Sequence, residues 1–169
     1  MSEGATQVTI AAARAGGRRP APTIAAVRAA LTEVLDPELP VLSVIDLGIV
    51  HRVAIDHAGI AVAILPTFVG CPALDVIRDR IATRLEAFGL PVRVHTTFEV
   101  PWTSERISPA GLRALANVGI APPAEPGAVR CPFCASDSVV MDSAFGPTQC
   151  RSLYYCRACR QPFEALKTG

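Results

Sequence analysis

The apolar positions Ile24, Val27, Leu31, Val34 and Leu35 recur at the three- and four-residue steps of a helix. Thr23, just ahead of them, has the side-chain oxygen that caps a helix N-terminus. DPELP then ends the helix, because proline cannot continue one and drives its predecessor into an extended conformation. Beyond it the period changes to two. Ile49, Val53 and Ile55 share one face of GIVHRVAID, and Ile60, Val62 and Ile64 share one face of IAVAILP. The HAG between these runs turns the chain, so a hairpin is predicted. A second helix is predicted from Pro72 to about Phe88, its stripe made by Leu74, Ile77, Ile81, Leu85 and Phe88 and its end set by Gly89 and Pro91. VRVHTTFEV reads as a third strand. The order α-β-β-α-β over residues 23–100 predicts an α/β domain of the α+β two-layer kind, a three-stranded sheet with helices on one face.

The flanks read differently. Residues 1–22 lack the apolar centre of a secretory signal and read as a disordered tail with an Ala/Arg bias. Residues 101–129 hold one short helix, with Ser108 as its cap, Pro109 in its first turn and Gly119 at its exit, followed by the Pro/Ala linker APPAEPGAV. Residues 130–169 are too few for an apolar core of their own and need a staple.

Composition narrows the classes. The 169 residues suit one domain plus a small appendage, and half of them are hydrophobic. A formal net charge of +1 gives no electrostatic case for nucleic acid or a membrane surface. No run approaches the roughly 18 apolar residues of a membrane-spanning helix. A cytoplasmic location is expected, and in that reducing setting paired cysteines point to metal rather than to disulfides.

Five of the six cysteines lie beyond residue 130. CPFC supplies Cys131 and Cys134, CRAC supplies Cys156 and Cys159, and 21 residues separate the pairs. Two thiolates three residues apart on a tight turn can point at one ion, and two such turns complete a tetrahedron. Four protein ligands close the shell, which makes the site structural. Zinc fits best, and iron or a cluster has compatible spacing. The β-rich segments between the pairs suit a zinc-ribbon-like module. Cys150, a fifth cysteine near a site that wants four, has three readings: a packed thiol, an alternative ligand, or a ligand for something delivered to the module.

Cys71 stands alone, between a β-rich run and a helix starting at Pro72. As a helix cap its sulfur would face free N–H groups, which can lower a thiol pKa. As a small hydrophobe it would simply fill the core, and the pattern does not choose. Asp36, Glu38 and Asp46 supply carboxylates in loops that can reach the same end of the sheet. Carboxylates beside a thiolate oppose its ionisation unless a cation lies between them. Their plainer role is to hold turns, as Asp often does.

DPELPVLSVIDLGIV and GCPALDVI resemble the signatures of the iron–sulfur-assembly domain family that includes SufT-like proteins. PWTSERIS, GIAPP, the CxxC pair and FGPTQCRSLYYCRACRQPFEALK resemble its extended bacterial members, the D subunits of phenylacetyl-CoA epoxidase (PaaD-type), over roughly residues 24–168. The resemblance implies an assembly domain followed by a metal-binding module. It further implies an accessory role in maturing the metal centres of the oxygenase and reductase of aerobic phenylacetate breakdown, with those subunits as partners. By carry-over, Cys71 is the family's characteristic cysteine, Asp36, Glu38 and Asp46 are its acidic positions, and Cys131, Cys134, Cys156 and Cys159 are the tail ligands. Cys150 matches a further tail cysteine. Ala135 departs from the glycine that often follows such a knuckle.

The leading reading is an assembly factor in which Cys71 transiently holds iron or a cluster and a zinc-stabilised tail docks. A structural subunit of the oxygenase complex and an iron–sulfur electron carrier are the alternatives. An enzyme is least favoured, since the motifs do not assemble a base, a nucleophile and an oxyanion donor.

Overall fold

The computed structural model describes residues 21–68, 70–125 and 127–168, together with the backbone of Val8–Ile10. The first sheet has four strands: β1 (Val8–Ile10), β2 (Val50–Asp56), β3 (Gly59–Ile64) and β4 (Val92–Thr96), in the order β1-β4-β3-β2. Two helices belong to the same unit, α1 (Ile24–Leu31) and α2 (Ala73–Leu85). β2 and β3 form the expected hairpin, its turn held by the Ala58 N–H donating to Asp56 Oδ1 at 2.7 Å. β3 and β4 run parallel, from Ile60↔Val92 to Ile64↔Thr96, with α2 as the crossover between them.

Alternation decides the layers. Ile60, Val62, Ile64, Val92 and Val94 are fully buried on the helix side, against Val27, Leu31, Ile77, Ile81 and Leu85. The opposite face carries small or polar residues such as Ala61, Arg93 and His95. This is the predicted two-layer arrangement with one strand more. Residues 1–22 were expected to form a disordered tail. Val8–Ile10 instead pair antiparallel with β4, Val8 opposite Val94, and so cover what would be an open edge. The rest of that expectation, at residues 1–7 and 11–20, lies outside the described residues.

Thr23 caps α1 as expected, its Oγ1 accepting from Ala26 N at 3.1 Å. The helix nevertheless stops at Leu31, four residues short of the predicted stripe. Thr32 Oγ1 bonds back to the Ala29 carbonyl, and the Val34 carbonyl and Asp36 N–H pair with Val44 and Leu42. Leu35, predicted for the core, is consequently exposed. α2 ends through a short 3₁₀ turn, Glu86–Phe88, at Gly89 in the left-handed conformation.

The segment after β4 is moored by DLG. Trp102, buried, donates its indole N–H to the Leu47 carbonyl at 2.9 Å. Ser108 caps α3 (Pro109–Asn117) with its Oγ accepting from Gly111 N, and donates to Asp46 Oδ1 at 2.6 Å. Ser43 Oγ donates to the other carboxylate oxygen at 2.7 Å. Gly48 adopts φ +73°, with the Arg106 carbonyl against its Cα.

The second sheet has the order β5-β8-β7-β6: β5 (Ile120–Ala121), β6 (Val139–Ser143), β7 (Arg151–Cys156) and β8 (Pro162–Leu166). β5 comes from the stretch expected to be linker and pairs parallel with β8. Among the described residues, the apolar cluster around the cysteines consists of buried Ala121, Val129, Tyr154, Phe163 and Ala165 with Cys131 and Cys156, a core too small to stand alone. It is also attached to its neighbour. Leu166 enters the core of the first unit, and Arg151 Nη2 donates to the Glu38 carbonyl at 3.4 Å. Among the described residues no helix is long and apolar enough to cross a membrane.

Candidate functional site

Two groups of sulfurs stand out. In the first, the side-chain sulfurs of Cys131, Cys134, Cys156 and Cys159 lie within 4.8 Å of one another. The Cys131–Cys159 and Cys134–Cys156 pairs are both 3.6 Å apart. Four sulfurs each about 2.3 Å from one tetrahedral ion would be about 3.8 Å apart, so the donor set fits a metal ion.

The backbone explains this convergence. After each pair the chain turns through a left-handed residue, Ala135 at φ 60° and Arg160 at φ 61°. The N–H of each donates to the carbonyl of the first cysteine of its pair, Cys131 and Cys156, at 2.8 Å. Those first cysteines donate onward to the Ser136 and Gln161 carbonyls at 2.9 Å. Cys156 and Cys159 are shifted in opposite directions. The Cys159 backbone N–H helps hold Cys156 down at about 7, whereas burial, with the neighbouring sulfurs adding, pushes Cys159 up to about 12. A dication would let all four ionise.

Ala135 in the left-handed region carries a penalty of about 1 kcal/mol that glycine lacks. Ala135→Gly is therefore expected to raise the melting temperature of the metal-loaded chain by a few degrees. A thermal melt reads this directly, and a lower value would show that the knuckle holds alanine without strain.

The second group lies where the two units meet. Asp36, Glu38, Cys71 and Cys150 line one cavity of about 20 Å³, walled mostly by apolar side chains including Leu47, Ile49, Ile77 and Trp102. Cys71 lies in the loop between β3 and α2, beyond the carboxyl end of β3, where ligands commonly bind in sheets with parallel strands. Asp36, buried, accepts the N–H groups of Glu38 and Leu39 on Oδ1, each at 2.8 Å. That turn presents the Glu38 side chain, whose Oε2 lies 4.0 Å from the Cys150 sulfur. Thr148 Oγ1 is 3.2 Å from the same sulfur, and the Cys150 carbonyl accepts from Lys167 N at 2.8 Å.

Charge in this cavity is mutually opposed. Burial pushes the Cys71 thiol up, the Ala73 backbone N–H opposes it, and Glu38, Asp36 and Cys150 raise it further. The helix end that could have lowered this pKa is outweighed, and Pro72 rather than Cys71 occupies the cap position. Burial likewise raises Cys150, with Glu38 and Asp36 adding, while Thr148 and Arg151 oppose. Glu38 is raised by burial and then by Asp36.

Of the residues the sequence grouped with Cys71, the structure brings together Asp36, Glu38 and Cys150. Asp46 is not among the cavity-lining residues. Each of its oxygens accepts from a serine hydroxyl, Ser43 on one and Ser108 on the other, so that it ties the DLG turn to the start of α3. The sequence pattern did not anticipate Phe68, Trp102 or Lys167 at the cavity. Trp102, the one tryptophan, was the available signal, whereas nothing local marks Lys167.

Comparison with known proteins gives three kinds of likeness. Residues 24–95 match the family model described as an iron–sulfur cluster assembly protein, and residues 117–167 match the PaaD zinc beta ribbon domain. A protein of Escherichia coli (strain K12), provisionally named as the D subunit of 1,2-phenylacetyl-CoA epoxidase, is 36% identical over 154 residues, covering 86% of this chain and 93% of that protein. Among solved structures, a domain of unknown function from Bacillus anthracis is 28% identical with a TM-score of 0.49, covering 53% of this chain and 87% of that one. A conserved hypothetical protein from Thermotoga maritima is 33% identical with a TM-score of 0.45, covering 54% and 92%.

Proposed function

We propose that this chain, which belongs to the family of the D subunits of phenylacetyl-CoA epoxidase, is an accessory factor that matures the iron or iron–sulfur centre of the oxygenase or reductase and does not itself catalyse epoxidation. The observation that carries this reading is the cavity at the junction of the two units. Its thiols and carboxylates oppose one another's ionisation, so it is built for a cation that binds and leaves. The region matching the assembly family includes Cys71, and the region matching the zinc ribbon includes Cys150 and the four-cysteine cluster.

The roles divide along the chain. Residues 23–100 supply Asp36, Glu38 and Cys71 to the cavity, and residues 130–168, with β5, form a ribbon that adds Cys150 and is stapled by a zinc ion on Cys131, Cys134, Cys156 and Cys159. A closed shell of four sulfurs leaves no coordination position for a substrate, so zinc here is structural. The partners are the other subunits of the epoxidase system, in the cytoplasm.

Replacing Cys71 by serine tests the reading. Cys71→Ser is expected to keep the fold and one zinc per chain, and to lower the iron content and turnover of the co-expressed oxygenase or reductase by about tenfold or more. Metal analysis of the purified partner subunits gives the result. Full iron content and turnover with the variant would remove the delivery role and leave a structural subunit.

A further inference from the structure

Beside the cavity lies a larger depression, open at the surface. It is a groove of about 460 Å³ lined by Phe68, Phe98, Val100 and Trp102 among others. Thr67, Phe68, Trp102 and Thr168 line both hollows, so the groove adjoins the cavity that Cys71 lines. The two differ in what they admit. The cavity, at about 20 Å³, has room of the order of one water molecule, whereas the groove takes several side chains.

The rim of the groove is aromatic and faces water. Phe98 is 71% exposed, and Phe145, which shares Lys167 with Phe68, is 78% exposed. Apolar patches of this kind mark protein-binding surfaces, where aromatic rings carry much of the energy. Both units contribute. Phe68 comes from the loop after β3, Phe98 and Val100 follow β4, Phe145 comes from the loop between β6 and β7, and Lys167 follows β8.

The charge at this face has one sign. Lys167 Nζ lies 5.9 and 5.2 Å from the ring centroids of Phe68 and Phe145 and donates to the Gln149 carbonyl at 2.7 Å. An ammonium has three hydrogens, so this one bond leaves donors to offer. Among the described residues no carboxylate pairs with it. Glu99, the acid between Phe98 and Val100, lies instead against Arg52 and His51 at 3.3 and 3.5 Å.

Resting on the maturation reading above, we propose that this face is where the subunit receiving the metal docks, its apolar side chains filling the groove and one of its carboxylates pairing with Lys167. Docking there sets the partner beside the cavity and grips both units at once. The rings supply the burial, and the cation fixes the register and disfavours segments that bring a lysine or arginine.

The test titrates the full, zinc-loaded chain with the purified oxygenase and, separately, with the purified reductase, and reads the dissociation constant at low and high salt. Wild type is expected to bind one of them. Phe98→Ser, at an exposed position where the melting temperature should not change, is expected to weaken that binding at least about tenfold. Lys167→Glu is expected to weaken it about 10–100-fold at low salt, with a smaller loss at high salt as screening grows. Lys167→Met keeps an apolar stem beside the rings and serves if the glutamate variant loses its zinc; its binding should depend little on salt.

Wild-type affinity in Phe98→Ser and Lys167→Met overturns the docking face. So does a wild type that binds neither subunit, or sedimentation that shows two copies of this chain paired through the face in a dimer that Phe98→Ser dissolves. The iron content of the partner co-expressed with Cys71→Ser is a separate reading. Iron lost there, with Phe98→Ser binding unaltered, removes the docking face alone. Full iron there, with binding that needs Phe98, removes the maturation reading alone.

Discussion

Cys156→Ser is expected to abolish zinc binding and unfold the ribbon while the α/β unit stays folded. Cys156 is completely buried at the end of β7, and its backbone joins both sides of the knuckle, accepting from Arg160 and donating to Gln161. The apolar cluster around it consists of five residues besides the cysteines. A bound zinc contributes roughly 10–16 kcal/mol of apparent folding free energy in such modules, more than that cluster can replace. Serine offers a poor ligand, and three remaining thiolates bind far more weakly. Amide hydrogen exchange should then show protection lost across residues 130–166 and retained in β2, β3, β4 and α2. Metal analysis should fall from one zinc per chain to nearly none, and chelation of wild type should reproduce both changes reversibly. A metal-free ribbon that keeps its protection would show that docking through Leu166 and Arg151 suffices to fold it.

Gly48→Ala is the second large effect. At φ +73° an alanine pays about 1–2 kcal/mol in the backbone alone. Its Cβ would also lie 2.2 Å from the Arg106 carbonyl oxygen, a distance no packed structure tolerates. The clash is with backbone, so the segment from Trp102 to Ser108 must move. That movement strains the indole bond to Leu47 and the Ser108 bond to Asp46. The expected loss is about 3–5 kcal/mol, which for a chain of this size lowers the melting temperature by about 10 °C or more. Calorimetry on the zinc-loaded chain reads it, and a loss below about 1 kcal/mol would show that residues 102–108 are only loosely moored. Asp46→Asn separates mooring from metal binding. It should weaken the same mooring yet leave iron loading intact, because Asp46 does not line the cavity.

What the sequence made legible followed local rules. Thr23 and Ser108 cap their helices, the period-two runs form the hairpin, and the stripe of Ile77, Ile81 and Leu85 is buried. The two CxxC turns could be placed because the spacing itself dictates the geometry. β1 was not legible, since three residues in an Ala/Arg-rich stretch become a strand only when β4 offers an edge. The end of α1 was missed for a related reason: Val34 and Asp36 find backbone partners in residues 42–44 that no helical pattern reveals.

The cavity was half legible. Cys71, Asp36 and Glu38 lie in loops that the strand order could bring together, but Cys150 reaches them only because the ribbon docks. Asp46 could not be sorted by pattern, because a carboxylate in a loop looks the same in sequence whether it awaits a cation or holds two serine hydroxyls.

β7 has a further consequence. Cys156 stands at its end and Cys150 immediately before its start, so one strand spans from the four-cysteine cluster to the cavity, about 20 Å at the rise of an extended chain. It acts as a rigid ruler between two sulfurs with different duties. Inserting or deleting a single residue between them would turn Tyr154 out of the ribbon's interior and shift Cys150 away from Glu38 at the same stroke. Residues 122–125 and 127–128, which belong to no strand or helix, face no such demand. Length variation in this protein is therefore expected to be tolerable in the connection that joins its two units and intolerable in the strand that sets the distance between its cysteine cluster and its cavity.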